Sequence, residues 1–366
     1  MNKIFIFLFL NIFHIILYSQ NHDDYFSKYS IHLSDSTSKS GLIDYDFNRF
    51  NGFFIGEDHN IKCIADKDII ISNFILKHKK IDYMFFETAY RYALEYKEFN
   101  NVTQIANIDT IRDIRYYAMY DKVKEQLFKF ILKYNEKVVD NRIKILPIDE
   151  TELEEVNDAL IYNLFDLKAG LTPVEIRNDL VDFIKIFEIF ERKSKKEKRY
   201  LNFMYDFEIH NELYKDYLKE NYGYLKNTLE GLKISIMDKK IYGNYYYNSK
   251  DRENYMFRNI SNTIDTSNSF ISFNGQFHVS ISEQNEYMGV SNWQSLAYKY
   301  NNYSRNKACS IYLLDINNDQ YFDKNFKKEK EIILKYSLTG NVLIKLDGDN
   351  TPFIKLNDKY QYIFVW

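Results

Sequence analysis

Five short apolar runs constrain this chain most: Phe53-Phe54-Ile55, Tyr83-Met84-Phe85-Phe86, Ile143-Lys144-Ile145-Leu146, Phe270-Ile271-Ser272-Phe273 and Ser310-Ile311-Tyr312-Leu313-Leu314. Runs this short and this continuous fit strands buried on both faces, not half-exposed strands that alternate. The long segments between them carry apolar residues at i, i+3 and i+4, the helical spacing. Strands separated by helices predict an α/β fold with a central, mostly parallel sheet flanked by helices.

Two regions depart from that alternation. The interval from about 150 to 245 has no strand pattern and is expected to be a helical insertion between two halves of the sheet. Within it, Thr172-Pro173-Val174-Glu175 reads as a capped helix start. Phe203, Phe207, His210, Tyr214 and Leu218 follow as one stripe, with His210 expected to be a satisfied core histidine. Glu191 to Arg199 holds six basic and two acidic residues, read as a solvated helix face because no aromatic residues interleave it. The other departure is a C-terminal β extension at about 332–366, expected to add a strand pair. Its runs are Val342-Leu343-Ile344, Phe353-Ile354 and Tyr362-Ile363-Phe364-Val365, with a turn at Asp347-Gly348-Asp349-Asn350.

Composition narrows the function classes. Hydrophobic residues at 45% and charged residues at 28% exclude a disordered chain and allow a core without disulfide staples. A net charge of -3 gives no overall basic field, so nucleic acid is not an expected partner. The 33 Tyr and 29 Phe rise together with Asn, Ile and Lys, a coding bias that is no evidence for a cofactor. Lys3 and the apolar run Ile4 to Tyr18 suit a signal peptide, removed after about residue 20, and are shorter than the roughly 20 residues of a membrane span. The expectation is therefore an exported protein, periplasmic or secreted, whose residues 21–366 form a single α/β domain with no membrane span. Cys63 and Cys309 allow one disulfide in an oxidising compartment or two buried thiols, and both remain open.

The residues that close the runs are polar. Gly56-Glu57-Asp58-His59 follows the first, Glu87 the second, Asp149 the third and Asn274-Gly275-Gln276-Phe277-His278 the fourth. In open α/β sheets, sites form at the carboxyl ends of the strands. Asp149, three residues before Glu152, reads as a helix N-cap. Glu57 or Asp58 could cap the helix that carries Ile64 to Leu76. Glu87 has no such bland account, because a carboxylate directly after four apolar residues is costly to desolvate unless paired. Arg252 begins a core-facing helical stripe with Met256 and Ile260, either as a partner for Glu87 or Glu57 or as an oxyanion clamp.

Together these motifs resemble the superfamily that joins erythromycin esterases, ChaN-like haem-binding proteins and the TIKI and TraB metalloproteases. The resemblance rests on Gly56-Glu57-Asp58-His59, Glu87, Arg252-Glu253-Asn254-Tyr255-Met256 and Gly275-Gln276-Phe277-His278, and spans roughly Phe53 to Leu314. Both Gly-x-x-His segments look closer to the ChaN and TIKI branches than to the esterases, whose first motif has one more residue between Glu and His. The resemblance implies a hydrolase cleaving an ester, lactone or amide in a small-molecule or peptide substrate. His59, Glu57, Glu87, Arg252 and His278 would form its catalytic set. If a divalent metal such as zinc or manganese is used, His59, Glu87 and His278 are its implied ligands. The alternative implied by the ChaN-like branch is a haem- or iron-binding protein.

Overall fold

A computed structural model describes residues 22–33, 41–58, 64–103, 122–138, 141–151, 164–165, 171–184, 193–242, 249–287, 290–336, 338 and 340–366. The signal-peptide segment, His59 and Cys63 lie outside the described residues. In chain order the strands are β1 (Ser30–His32), β2 (Gly52–Glu57), β3 (Tyr83–Ala89), β4 (Lys144–Asp149), β5 (Phe270–Gly275), β6 (Gln284–Tyr287), β7 (Val290–Trp293), β8 (Ala308–Leu314), β9 (Val342–Lys345) and β10 (Tyr362–Val365). Eight of them form one sheet in the order β1-β9-β10-β8-β2-β5-β3-β4. Neighbours from β10 through β8, β2, β5 and β3 to β4 are parallel, and only β9 runs against the rest.

Burial explains the continuous runs. β5 and β8 are buried at every residue, and β2 at every residue before Glu57. Phe53, Ile55, Met84, Phe86, Ile271 and Ile311 point into a core capped by the Ile64–His78 and Lys122–Asn135 helices. Phe54, Phe85, Phe270 and Tyr312 point the other way, against the Lys250–Thr263 and Leu296–Tyr303 helices. Period-two alternation thus feeds two cores instead of one core and solvent.

The insertion is helical where described, with helices Val174–Ile184, Lys193–Ile209, Asn211–Leu218 and Tyr222–Tyr242 around a core of their own. The first starts directly after Pro173, whose carbonyl accepts the Arg177 N–H at 3.0 Å. The expected stripe through His210 is broken there. Phe203 and Phe207 are buried on one helix and Tyr214 and Leu218 on the next, while His210 sits at the turn between them, partly exposed. It is satisfied by Asp179 at 2.8 Å, but it is not in the core.

The C-terminal extension also differs in detail. β9 and β10 pair antiparallel, but Phe353-Ile354 is not a strand: Ile354 opens the short Ile354–Asn357 helix, and β10 returns between β9 and β8. Residues 22–29 form a helix whose Tyr25, Phe26 and Tyr29 are buried, and the Tyr25 hydroxyl donates to the Lys345 carbonyl at 2.6 Å. Cys309 on β8 is a buried free thiol, and burial pushes its pKa well up. No helix among the described residues is long and apolar enough to cross a membrane.

Candidate active site

The carboxyl edge of the sheet is where β2, β5, β3 and β4 end side by side, with Glu57 in register with Gly275 and Ala89 with Asp149. The Lys250–Thr263 helix brings its first turn to this edge. Ser249 caps it, accepting the Arg252 N–H at 2.9 Å, and itself donates to Asp238 on the last helix of the insertion. Asn259 ties the same helix to the sheet by donating to the Ile148 carbonyl at 2.9 Å. Arg252 and Glu253 are thereby both enclosed.

Five charged side chains interlock there. Arg252 donates through Nε to Asp149 Oδ1 at 2.8 Å and through Nη2 to Asp149 Oδ2 at 2.5 Å, a two-point fork. Nη2 also reaches Glu87 Oε1 at 2.7 Å. The other Glu87 oxygen accepts the Gly275 N–H. His278, in the 3-10 turn Gln276–Val279 that follows β5, bonds through Nδ1 to Glu253 and places Nε2 3.2 Å from Glu87 Oε1. Arg252 Nη1 stands 3.3 Å from His278 Nε2. Glu253 is the most enclosed of the five, its side chain 1% exposed, and its Oε2 has no hydrogen-bond partner among the described residues.

Charge follows from that packing. Burial pulls the His278 pKa down, but the Glu253 and Glu87 carboxylates outweigh it and push it up to about 10. That balance favours the imidazolium, with its Nε2–H toward Glu87 Oε1 and beside the Arg252 guanidinium. Three carboxylates hold them there. Because the folded pKa lies above the ordinary value of about 6.5, His278 contributes stability that is complete below that value. This contribution is lost as pH rises through about 10. Denaturant midpoints are expected to fall from pH 7 to pH 10, and His278→Gln to remove that part of the fall. Equal slopes for the two proteins would show that the imidazole is not held charged.

Glu87, Arg252 and His278 are thus brought into one cluster, and Glu57 ends β2 at the same edge. Two members were not expected. Asp149, whose expected helix lies outside the described residues, turns its carboxylate to Arg252 and also accepts the Glu150 N–H at 2.8 Å. Glu253 follows Arg252 in the motif and orients His278, yet carried no weight by itself. Packing explains the glycine at position 56. A Cβ there would lie 2.3 Å from Val279 Cγ2 and 3.1 Å from Gln276 Cα, so glycine is needed for close approach of the turn that carries His278. Gly56→Ala is expected to destabilise by about 1–3 kcal/mol, the usual scale of overpacking, read from chemical denaturation.

A metal at His59, Glu87 and His278 fits poorly with the two members described. His278 Nδ1 is spent on Glu253 and its Nε2 proton faces Glu87, while Glu87 is engaged by Arg252 and the Gly275 amide. Metal ligation needs a neutral imidazole with an open lone pair. Among the described residues, no group of three or more His, Cys, Asp or Glu is arranged to hold a metal ion.

No protein-family model matches the chain, and no curated protein matches it by sequence. Solved structures do match. A Bacillus cereus protein superposes with a TM-score of 0.57 over 94% of this chain and 96% of its own, at 14% identity. The erythromycin esterase EreC, a histidine-to-asparagine variant in its open conformation, superposes with a TM-score of 0.60 over 92% of this chain and 96% of its own, at 12% identity. This chain and EreC share a fold. A succinoglycan biosynthesis protein shares it less completely, with a TM-score of 0.53 over 81% of this chain and 75% of its own, at 11% identity. The likeness to EreC is one of fold.

Proposed function

We propose that this protein is a hydrolase that opens a carboxylic ester, lactone or amide with an activated water. The observation that carries this reading is the facing pair of cationic donors, Arg252 Nη1 and His278 Nε2, 3.3 Å apart at the carboxyl edge of the sheet. Two neighbouring buried cationic groups suit an oxyanion better than a neutral carbonyl, because their attraction grows as negative charge develops, and the His278 Nε2–H would be shared between Glu87 and that oxygen.

The same electrostatics divides the labour. An imidazolium cannot take a proton, so His278 is the stabiliser and proton donor, not the base. Glu87 is committed to Arg252 and Gly275. The base is assigned to the end of β2, where Glu57 stands and His59 follows two residues later in sequence. In this scheme, His59 takes the proton of water, Glu57 orients it, and Arg252 with His278 receives the oxyanion. His278 then protonates the leaving group.

A panel of aryl esters, lactones and short peptides, followed by proton release, tests the reading. Turnover of esters or lactones is expected, and it is expected to survive a chelator because Glu87 and His278 are already engaged by protein groups. Turnover that stops with EDTA and returns with zinc or manganese would overturn the assignment of His278 as a cationic donor. Export belongs to the same proposal. N-terminal sequencing of the secreted or periplasmic protein is expected to start near residue 21, just before the buried helix at 22–29. A mature chain that begins at Met1 would contradict it.

A further inference from the structure

We propose that the outer face shared by the Lys193–Ile209 and Tyr222–Tyr242 helices docks on an anionic lipid surface. Eleven large apolar side chains stand exposed among the described residues, and eight of them lie between Leu171 and Ile241 in the insertion. Single exposed apolar residues need no explanation, whereas a cluster does. Leu201, Tyr205 and Ile209 repeat at i, i+4 and i+8 on one helix, and Met237 and Ile241 at i and i+4 on the other. Tyr205 is 66% and Ile241 64% exposed. These residues are not a misplaced core face. The same two helices already bury Tyr200, Phe203 and Phe207, and Leu225, Leu229, Leu232 and Ile236, on their inner sides.

The two helices are neighbours: Lys240 pairs with Glu197 at 3.4 Å, and the Tyr200 hydroxyl donates to the Leu229 carbonyl. Charge selects the occupant. Lys195, Lys198, Lys226, Lys233 and Lys240 are exposed on these helices. Of the acids, Glu197 is paired with Lys240 and Glu230 with Arg258, Asp238 is buried under Ser249, and Asp206, partly exposed, and Glu208 remain near the far end. An apolar stripe flanked by lysines is the pattern of a helix lying in a membrane interface, with the stems in the acyl boundary and the ammonium groups at anionic headgroups. A second copy of this chain would instead bring like charges together.

One of the two docking helices also supports the site. The Tyr222–Tyr242 helix holds the helix of Arg252 through the Tyr255 hydroxyl on the Asn227 carbonyl at 2.7 Å and through Arg258 on Glu230 at 2.5 Å. The surface proposal does not depend on hydrolysis.

Cosedimentation of the mature protein with vesicles of phosphatidylcholine, or of equimolar phosphatidylcholine and phosphatidylglycerol, tests it. Binding to the anionic vesicles alone, weakened by salt, is the expected result. Tyr205→Glu with Ile241→Glu, and separately Lys195→Glu with Lys198→Glu and Lys233→Glu, should each lower partitioning at least about tenfold with an unchanged melting curve. A wild-type protein that stays in the supernatant overturns the proposal, as do variants that bind equally well. So does light scattering that shows the apolar pair of substitutions breaking a dimer, since the face would then belong to a protein partner.

Discussion

Arg252→Ala is expected to lower stability by about 3–5 kcal/mol, the scale for removing one partner of a buried ion pair. The guanidinium is engaged by Asp149 through two bonds and by Glu87 through a third, and its side chain is 7% exposed. Without it, Glu87 and Asp149 are both left as enclosed carboxylates that have lost the Arg252 cation. Denaturant unfolding measures the loss. A second substitution, Glu87→Gln in the Arg252→Ala background, should recover part of it by removing one of the stranded charges. Additive losses in the double variant would mean that the two residues are not coupled, which the 2.7 Å contact forbids.

His278→Gln is expected to reduce hydrolysis by about a hundredfold or more, the scale of a lost acid or oxyanion donor. Glutamine can keep a donor toward Glu87 but carries no charge. Rates are compared per folded protein, because losing the charge also removes the stability that it contributes near pH 7. Glu253 acts only through His278, so Glu253→Gln should lower the pKa of His278 and move the alkaline limb of the rate profile to lower pH. A merely structural Glu253 would lower the folded fraction and leave the profile in place. The two outcomes separate on one set of pH–rate curves.

The sequence exposed the central strands because each is buried on both faces and so reads as an unbroken apolar run. β1, with the sequence Ser-Ile-His, has too few residues to show a pattern, and the β6–β7 hairpin is mostly polar. Phe353-Ile354 misled for a related reason: Phe353 is buried by the helix at residues 22–29 and not by a sheet neighbour, and Ile354 is 71% exposed. Glu87, Arg252 and His278 were legible as polar residues placed where desolvation demands partners. Asp149 was hidden by Glu152 three residues later, a spacing that favours a helix cap. Glu253 was hidden by helical geometry, since it lies about 100° around the axis from Arg252. Its partner His278 comes from the turn after β5, which closes over that side. No sequence pattern announces that closure.

The central claim is that the buried charges at the sheet edge form a working oxyanion site and not a structural brace. Arg252→Lys tests it most directly, because lysine keeps the cation between Glu87 and Asp149 but lacks the fork whose third nitrogen faces His278. The measurement is the rate of ester or lactone hydrolysis by wild type and Arg252→Lys, at matched folded fraction from unfolding curves. The predicted result is a turning-over wild type and a folded variant slower by about a hundredfold or more. Equal rates in the two proteins, or no hydrolysis by a well-folded wild type across the panel, would contradict it.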